Sequence, residues 1–212
     1  MKIAVFGGSG PVGLRLIQVS LERGFEIRAL VRTPEKLGDL SNKIEVIKGD
    51  YFDKEMILKT IEGTEVILST LGPPIGRKHS VKPEDYGNAM ENVIPSMKKV
   101  GINRIINLSS ATTSFKGESI NFSRKIFRTI FNMIAPVMIP GKEKELEVLM
   151  SSDISWTNMR PPVITNRIKG KLRASENKTT GMKVNTDQLI NFMIDNINSD
   201  EWLKKTPFVG TK

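Results

Sequence analysis

The sequence contains no cysteine. That excludes disulfides, thiolate metal sites and a cysteine nucleophile. It leaves the compartment open, because a cytosolic protein needs no cysteine. Only one histidine occurs, His79. No histidine pair and no carboxylate cluster has metal-ligand spacing, so no metal site is expected. No uninterrupted apolar run approaches the roughly 20 residues of a membrane span. The first residues, Met1-Lys2-Ile3-Ala4-Val5-Phe6, enter a strand at once and leave no room for a signal peptide. A cytoplasmic location is expected.

What is present is a chain of 212 residues, a good size for one α/β domain with a sizeable core. Its net charge is +9. A basic balance can mean nucleic acid, anionic membrane or an anionic ligand. Here the lysines and arginines are scattered, and no basic block is interleaved with aromatics. A solvated basic surface is the favoured reading, with no nucleic-acid partner.

The chain alternates apolar runs with helical patterns. Residues 3–6 read as a buried parallel strand. Residues 11–23 read as a helix, with Pro11 in its first turn and Gly24 at its C-cap. Further strands are expected at 25–31, 44–47, 66–69, 104–108 and 154–159, and a short helix at 54–61. Tyr86, Ala89, Met90, Val93, Ile94, Met97 and Val100 fall at steps of three and four, which predicts a helix ended by Gly101 and kinked at Pro95. Another helix is expected at 142–150. Asn185-Thr186-Asp187 predicts the N-cap of a last helix reaching about Asn196. This rhythm means an α/β fold: a single-domain, doubly wound parallel sheet with helices on both faces.

One segment interrupts the rhythm. Residues 120–139 hold Phe122, Ile126, Phe127, Ile130, Phe131 and Ile134, with Arg124, Lys125 and Arg128 among them. As a helix it is amphipathic and basic. Such a helix can lie on a membrane surface. It can also pack over the C-terminal edge of the sheet and cover a pocket. Its place between two core strands favours the second, as an insertion at about residues 115–140, with no stable membrane association.

The sharpest motif is Gly7-Gly8-Ser9-Gly10-Pro11-Val12-Gly13. It satisfies G-x-G-x-x-G from Gly8 and G-x-x-G-x-x-G from Gly7. Glycines there permit the strand-to-helix turn, the approach of a pyrophosphate and close helix–strand packing. The helix N-terminus then offers N–H groups and a positive dipole end to the phosphates. The loop follows an apolar strand and opens a helical pattern, the context that makes the motif informative. The second strand ends Ala29-Leu30-Val31-Arg32-Thr33, without the acid that binds the ribose 2′-hydroxyl of NAD. Arg32 can instead hold the 2′-phosphate of NADP, with Thr33 and Lys36 in support. NADP(H) is the expected cofactor.

The sequence resembles the atypical short-chain dehydrogenase/reductase proteins with an NAD(P)H-binding Rossmann domain. It is most similar to the biliverdin-IXβ/flavin reductases and the NmrA-like proteins. The resemblance covers nearly all of residues 1–212, read as one domain. It rests on residues 5–13, on Leu30-Val31-Arg32-Thr33-Pro34-Glu35-Lys36-Leu37, on Gly49-Asp50, on Asn107-Leu108-Ser109-Ser110 and on residues 156–162. It implies that Gly7, Ser9, Gly10, Pro11 and Val12 cradle the pyrophosphate. It implies that Asp50 and Tyr51 border the adenine, and that Thr70, Leu71 and Gly72 lie along the ribose and nicotinamide side. Ser109 and Ser110 would stand beside the nicotinamide, and Pro161 and Pro162 would contact its amide through the backbone.

The sequence also departs from the superfamily. The Tyr-x-x-x-Lys pair of its better-known dehydrogenases is missing: Tyr51 is followed four residues on by Glu55, and Tyr86 by Met90. At about the place of a histidine in the biliverdin/flavin reductases stands Lys142, which can orient a ribose hydroxyl, hold an anionic substrate, donate a proton or simply face solvent. Ser110 and Lys142 are the candidate catalytic residues, and His79 lies in the 72–84 loop. The first functional expectation is an NADPH-dependent oxidoreductase, flavin reductase-like, passing a hydride to a planar acceptor such as a flavin, quinone or tetrapyrrole. The other is a non-catalytic NADP(H)-binding redox sensor or regulatory module. A small-molecule substrate and a monomer or small homo-oligomer are expected.

Overall fold

A computed structural model of the chain describes residues 1–73 and 80–212. Its centre is a six-stranded sheet made of β1 (Lys2–Phe6), β2 (Glu26–Val31), β3 (Glu45–Lys48), β4 (Val66–Ser69), β5 (Arg104–Leu108) and β6 (Ser155–Met159). The order is β3-β2-β1-β4-β5-β6 and every pairing is parallel. Parallel neighbours need crossovers, and the helices that make them cover both faces. The doubly wound Rossmann-type fold expected from the sequence is what the chain adopts.

Strand alternation divides the core. On β1, Ile3 and Val5 point to one face, with Leu16 and Ile17 of α1 (Pro11–Glu22) and Leu189, Ile190 and Met193 of α6 (Thr186–Asp195). Ala4 and Phe6 point to the other. There they meet Ile57 and Ile61 of α2 (Lys54–Ile61), Met90, Val93 and Met97 of α3 (Pro83–Val100), and Leu146 and Leu149 of α5 (Met138–Met150). Helix boundaries follow local chemistry. Beyond α1, Gly24 turns left-handed at φ 80, and the Phe25 N–H reaches the Ser20 carbonyl at 3.0 Å to close the end. The Asn185 side chain accepts from the N–H groups of Asp187 and Gln188, as the sequence predicts. α3 ends on Gly101 at φ 79 and runs through Pro95 as one helix.

Two regions differ from expectation. First, α5 begins at Met138, four residues before the predicted start. Ala135 precedes Pro136, which disfavours helical backbone there, so the chain breaks and restarts. Second, four short strands go beyond the sequence pattern: β7 (Val163–Thr165), β8 (Leu172–Ser175), β9 (Lys183–Asn185) and β10 (Phe208–Thr211). β7 pairs with β9 and β10 with β8. Arg160 and Phe208 form a bridge that docks the chain's last segment beside β6.

The helix of the interrupting segment is α4 (Phe122–Ile134). Its polar side faces the body. The Arg124 Nε donates to the Ala111 carbonyl at 2.9 Å, and its guanidinium also reaches Thr113 and Glu118. Arg128 donates to Thr112 and pairs with Glu143 at 2.6 Å. The apolar stripe, expected to pack inward, faces out. The loop carbonyls after β5 take the arginines as partners, and that fixes the rotation of the helix.

Candidate functional site

The strand order reverses at β1, which lies between β2 and β4. A crevice opens there beyond the C-terminal strand ends. The glycine loop fills its floor. Gly7 has φ 79, and a Cβ on it would sit 2.6 Å from the Leu71 nitrogen. A Cβ on Gly13 would sit 2.1 Å from the Gly7 oxygen. These two positions admit only glycine. Gly10 is different: its nearest neighbour to an added Cβ is 3.4 Å away. It is the N-cap of α1 and has no capping side chain of its own. Pro11 carries no N–H, so the first-turn donors of Val12 and Gly13 are what the helix end offers an anion.

A cavity of about 420 Å³ rises from this loop. Gly7, Ser9, Gly10, Arg32, Asp50, Tyr51, Thr70, Leu71 and Gly72, all predicted from sequence, line it. The Thr70 N–H donates to the Phe6 carbonyl at 2.9 Å, which pins the β4 end against the loop. At the mouth stand Arg32, 71% exposed, and Asp50, whose Oδ1 accepts from the Phe52 N–H at 3.1 Å. Lys36 adds a second cation to the rim. Asp53, not Asp50, caps α2.

The sequence reading missed one wall. Phe6, Tyr51, Phe52 and Tyr86 form a chain of edge-to-face rings with centroids 5.2, 5.8 and 5.2 Å apart. Phe6, Phe52 and Tyr86 line the cavity alongside Tyr51. They come from three separate stretches of chain, so no local pattern announces them. Burial, then the charge of Glu145, pushes both tyrosine hydroxyls well above their ordinary pKa of 10. Neither is poised to give up a proton near neutrality.

The remaining predicted residues lie outside the lining of this cavity. Pro11 and Val12 are in the first turn of α1, behind Gly10. Ser109 and Ser110 follow β5, and Pro161 and Pro162 follow β6, the next strands along the same edge. Backbone bonds stitch these ends together: the Ser109 N–H to the Met159 carbonyl at 2.7 Å and the Ala111 N–H to Pro161 at 2.8 Å. The Ser110 Oγ lies 2.8 Å from the Thr112 Oγ1 and accepts from the Thr112 N–H. Lys142 is neither in the cavity nor solvated. It is 2% exposed, and its Nζ stands 2.7 Å from the fully buried Glu145. Asn107 donates to the same carboxylate at 3.2 Å and to Asn158 at 2.9 Å. His79 lies outside the described residues. α4 contributes nothing to the cavity lining. A larger groove, about 740 Å³, runs between α3 and α5, away from the strand ends and the glycine loop. Among the described residues no group of three or more His, Asp or Glu is placed to hold a metal ion, and no helix is long and apolar enough to cross a membrane.

A parallel sheet with a glycine-only turn at its switch point and a cavity above it defines a dinucleotide-binding Rossmann domain. The profile of the NAD(P)H-binding family matches residues 7–200, and the chain belongs to that family. An isoflavone reductase homologue from Arabidopsis thaliana is 26% identical over 130 residues, which are 55% of this chain and 41% of that relative. The matched stretch thus spans about two fifths of that protein's length. Among solved structures, an anaerobillin reductase from Escherichia coli superposes with TM-score 0.79 at 18% identity, covering 100% of this chain and 97% of its own. A short-chain dehydrogenase/reductase from Veillonella parvula in complex with NADP superposes with TM-score 0.75 at 14% identity, covering 99% and 94%. At these identities the structures share the fold.

Proposed function

We propose that the protein is an NADPH-dependent oxidoreductase that reduces a planar, conjugated acceptor of the flavin, quinone or tetrapyrrole kind. The observation that carries this reading is the cavity above the glycine loop, with Arg32 and Lys36 at its rim and no acid at the end of β2. Gly7, Ser9, Gly10, Pro11 and Val12 bring backbone to the pyrophosphate, and Arg32 meets the 2′-phosphate. Asp50 and Tyr51 border the adenine. Thr70, Leu71 and Gly72 guide the cofactor along the edge toward Ser109, Ser110, Pro161 and Pro162. When bound, NADPH supplies a hydride from C4 of its dihydronicotinamide. Ser110 hydrogen-bonds the acceptor or the carboxamide. The proton that completes the reduction comes from solvent, since a conjugated acceptor spreads the added charge and needs no dedicated protein acid. That agrees with two tyrosines whose hydroxyls are held protonated. Lys142, paired in the interior, supports the ends of β5 and β6 through Glu145 and Asn107 rather than donating to substrate.

The test is to mix the protein with NADPH and a panel of flavins, quinones and linear tetrapyrroles and follow NADPH absorbance. Consumption with at least one acceptor is expected, and Ser110→Ala should slow it. Tight NADPH binding with no consumption across the panel would replace this reading with a regulatory NADP(H)-binding module.

A further inference from the structure

We propose that α4 seats the protein on an anionic lipid surface. The helix has two sides of opposite character, and the fold turns the polar one inward. Arg124, the buried residue of the helix, and Arg128 one turn on are both bound to the loop after β5. Phe122, Ile126, Phe127, Ile130 and Ile134 stand 45–78% exposed. At 3.6 residues per turn they share one side of the helix, an arc of about 140°. Scattered surface hydrophobics need no explanation, but five large ones in one stripe mark a contact surface.

Charge selects the occupant. No acidic residue occurs between Glu118 and Glu143; Arg124, Arg128 and Lys142 of that stretch are already paired with Glu118, Glu143 and Glu145, which leaves Lys125 to meet an external anion. Lys125 is exposed on the helix, and Lys116 is exposed in the loop to which α4 is tied. The whole chain carries +9. A second copy would bring the same acid-free stripe and the same net charge, so pairing two α4 faces sets like charges together. An anionic bilayer answers both features. The phenylalanines and isoleucines enter the headgroup boundary while the lysines meet the lipid charge. The stripe is directed away from Arg124 and Arg128, so seating it leaves the bonds that anchor the helix in place.

The test uses the full chain and sedimentation with vesicles of equal parts phosphatidylcholine and phosphatidylglycerol, against vesicles of phosphatidylcholine alone. Affinity at least about tenfold higher for the anionic vesicles is expected. Phe127→Glu with Ile130→Glu should abolish it, and Lys125→Glu should weaken it. Both changes lie on exposed positions, and an unaltered circular dichroism spectrum and melting temperature will show that the fold survives. Three results would overturn the proposal. One is no sedimentation with anionic vesicles. Another is sedimentation that the double variant leaves intact, which would assign binding to diffuse charge. The third is a dimer in solution that the double variant dissociates, which would give the face to a second copy.

Discussion

Arg32 and Asp50 face each other at the mouth of the cavity, Nη1 and Oδ2 4.0 Å apart. Both side chains are exposed, so as an ion pair they add little to stability. Their importance lies in what the arginine meets next. A ribose 2′-phosphate at Arg32 would have the Asp50 carboxylate for a neighbour, and like charges oppose each other. Asp50→Asn keeps an oxygen to accept from the Phe52 N–H and removes that charge. It should tighten NADPH binding about threefold and leave NADH unchanged, as measured by fluorescence titration.

The two kinds of glycine in the loop should separate folding from binding. Gly13→Ala drives a Cβ to within 2.1 Å of the Gly7 oxygen. Neither backbone can move without breaking the β1–α1 turn, so destabilisation of about 3 kcal/mol is expected on urea unfolding. Gly10→Ala meets nothing closer than 3.4 Å and should change stability by less than about 1 kcal/mol. Its methyl group projects where a pyrophosphate would lie, so NADPH affinity should still fall about tenfold.

The buried pair of Lys142 and Glu145 makes a different prediction. Lys142→Met leaves an uncompensated carboxylate in the interior and should cost about 3–5 kcal/mol of stability. Lys142→Met with Glu145→Leu removes both charges and should recover most of that loss. If Lys142 acts only through structure, the double variant keeps its NADPH affinity. A double variant as stable as wild type but unable to bind would place Lys142 in the binding machinery instead.

Glu118 joins the last chain segment to the loop after β5. It lies 2.8 Å from Arg124 and 2.7 Å from Arg160, and Arg160 in turn stacks 3.8 Å over the Phe208 ring. Burial raises the Glu118 pKa, but the hydrogen bonds from Arg124 and Arg160 outweigh it and hold the carboxyl below 4.5. A carboxyl whose folded pKa is depressed stabilises fully above its unfolded value and loses that contribution as pH falls through the folded one. Thermal melts should therefore show an acid limb beginning near pH 4.5 and deepening below it. Glu118→Gln should lower the neutral plateau by about 2 kcal/mol and flatten that limb.

The sequence revealed those parts of the fold whose signal is local. β1 alternates Ile3 and Val5 against Ala4 and Phe6 within a short apolar run, and the stripe on α3 repeats over about four turns. The glycine loop is continuous in sequence, so the floor of the cavity could be named residue by residue. The aromatic wall could not, because Phe6, Phe52 and Tyr86 meet only through the sheet and α3. The periodicity of α4 showed that it has two faces, but it carries no information on which face meets the body. That depended on carbonyls at Ala111, Thr112 and Thr113 in a loop without a pattern. The burial of Lys142 was hidden for a similar reason: its partner Glu145 lies one turn along the helix, and the Asn107 that shares this carboxylate lies across on β5. The strands β7 to β10 are three or four residues long, too short for alternation to register.

The proposed preference of this cavity for NADP(H) over NAD(H) rests on Arg32 at its rim. The most direct measurement is a calorimetric titration of the wild type and Arg32→Ala with NADPH and NADH. Tighter binding of NADPH by the wild type and a loss of at least tenfold for NADPH in the variant are expected, with NADH changed less than twofold. Equal weakening of both dinucleotides, or no preference in the wild type, would contradict it.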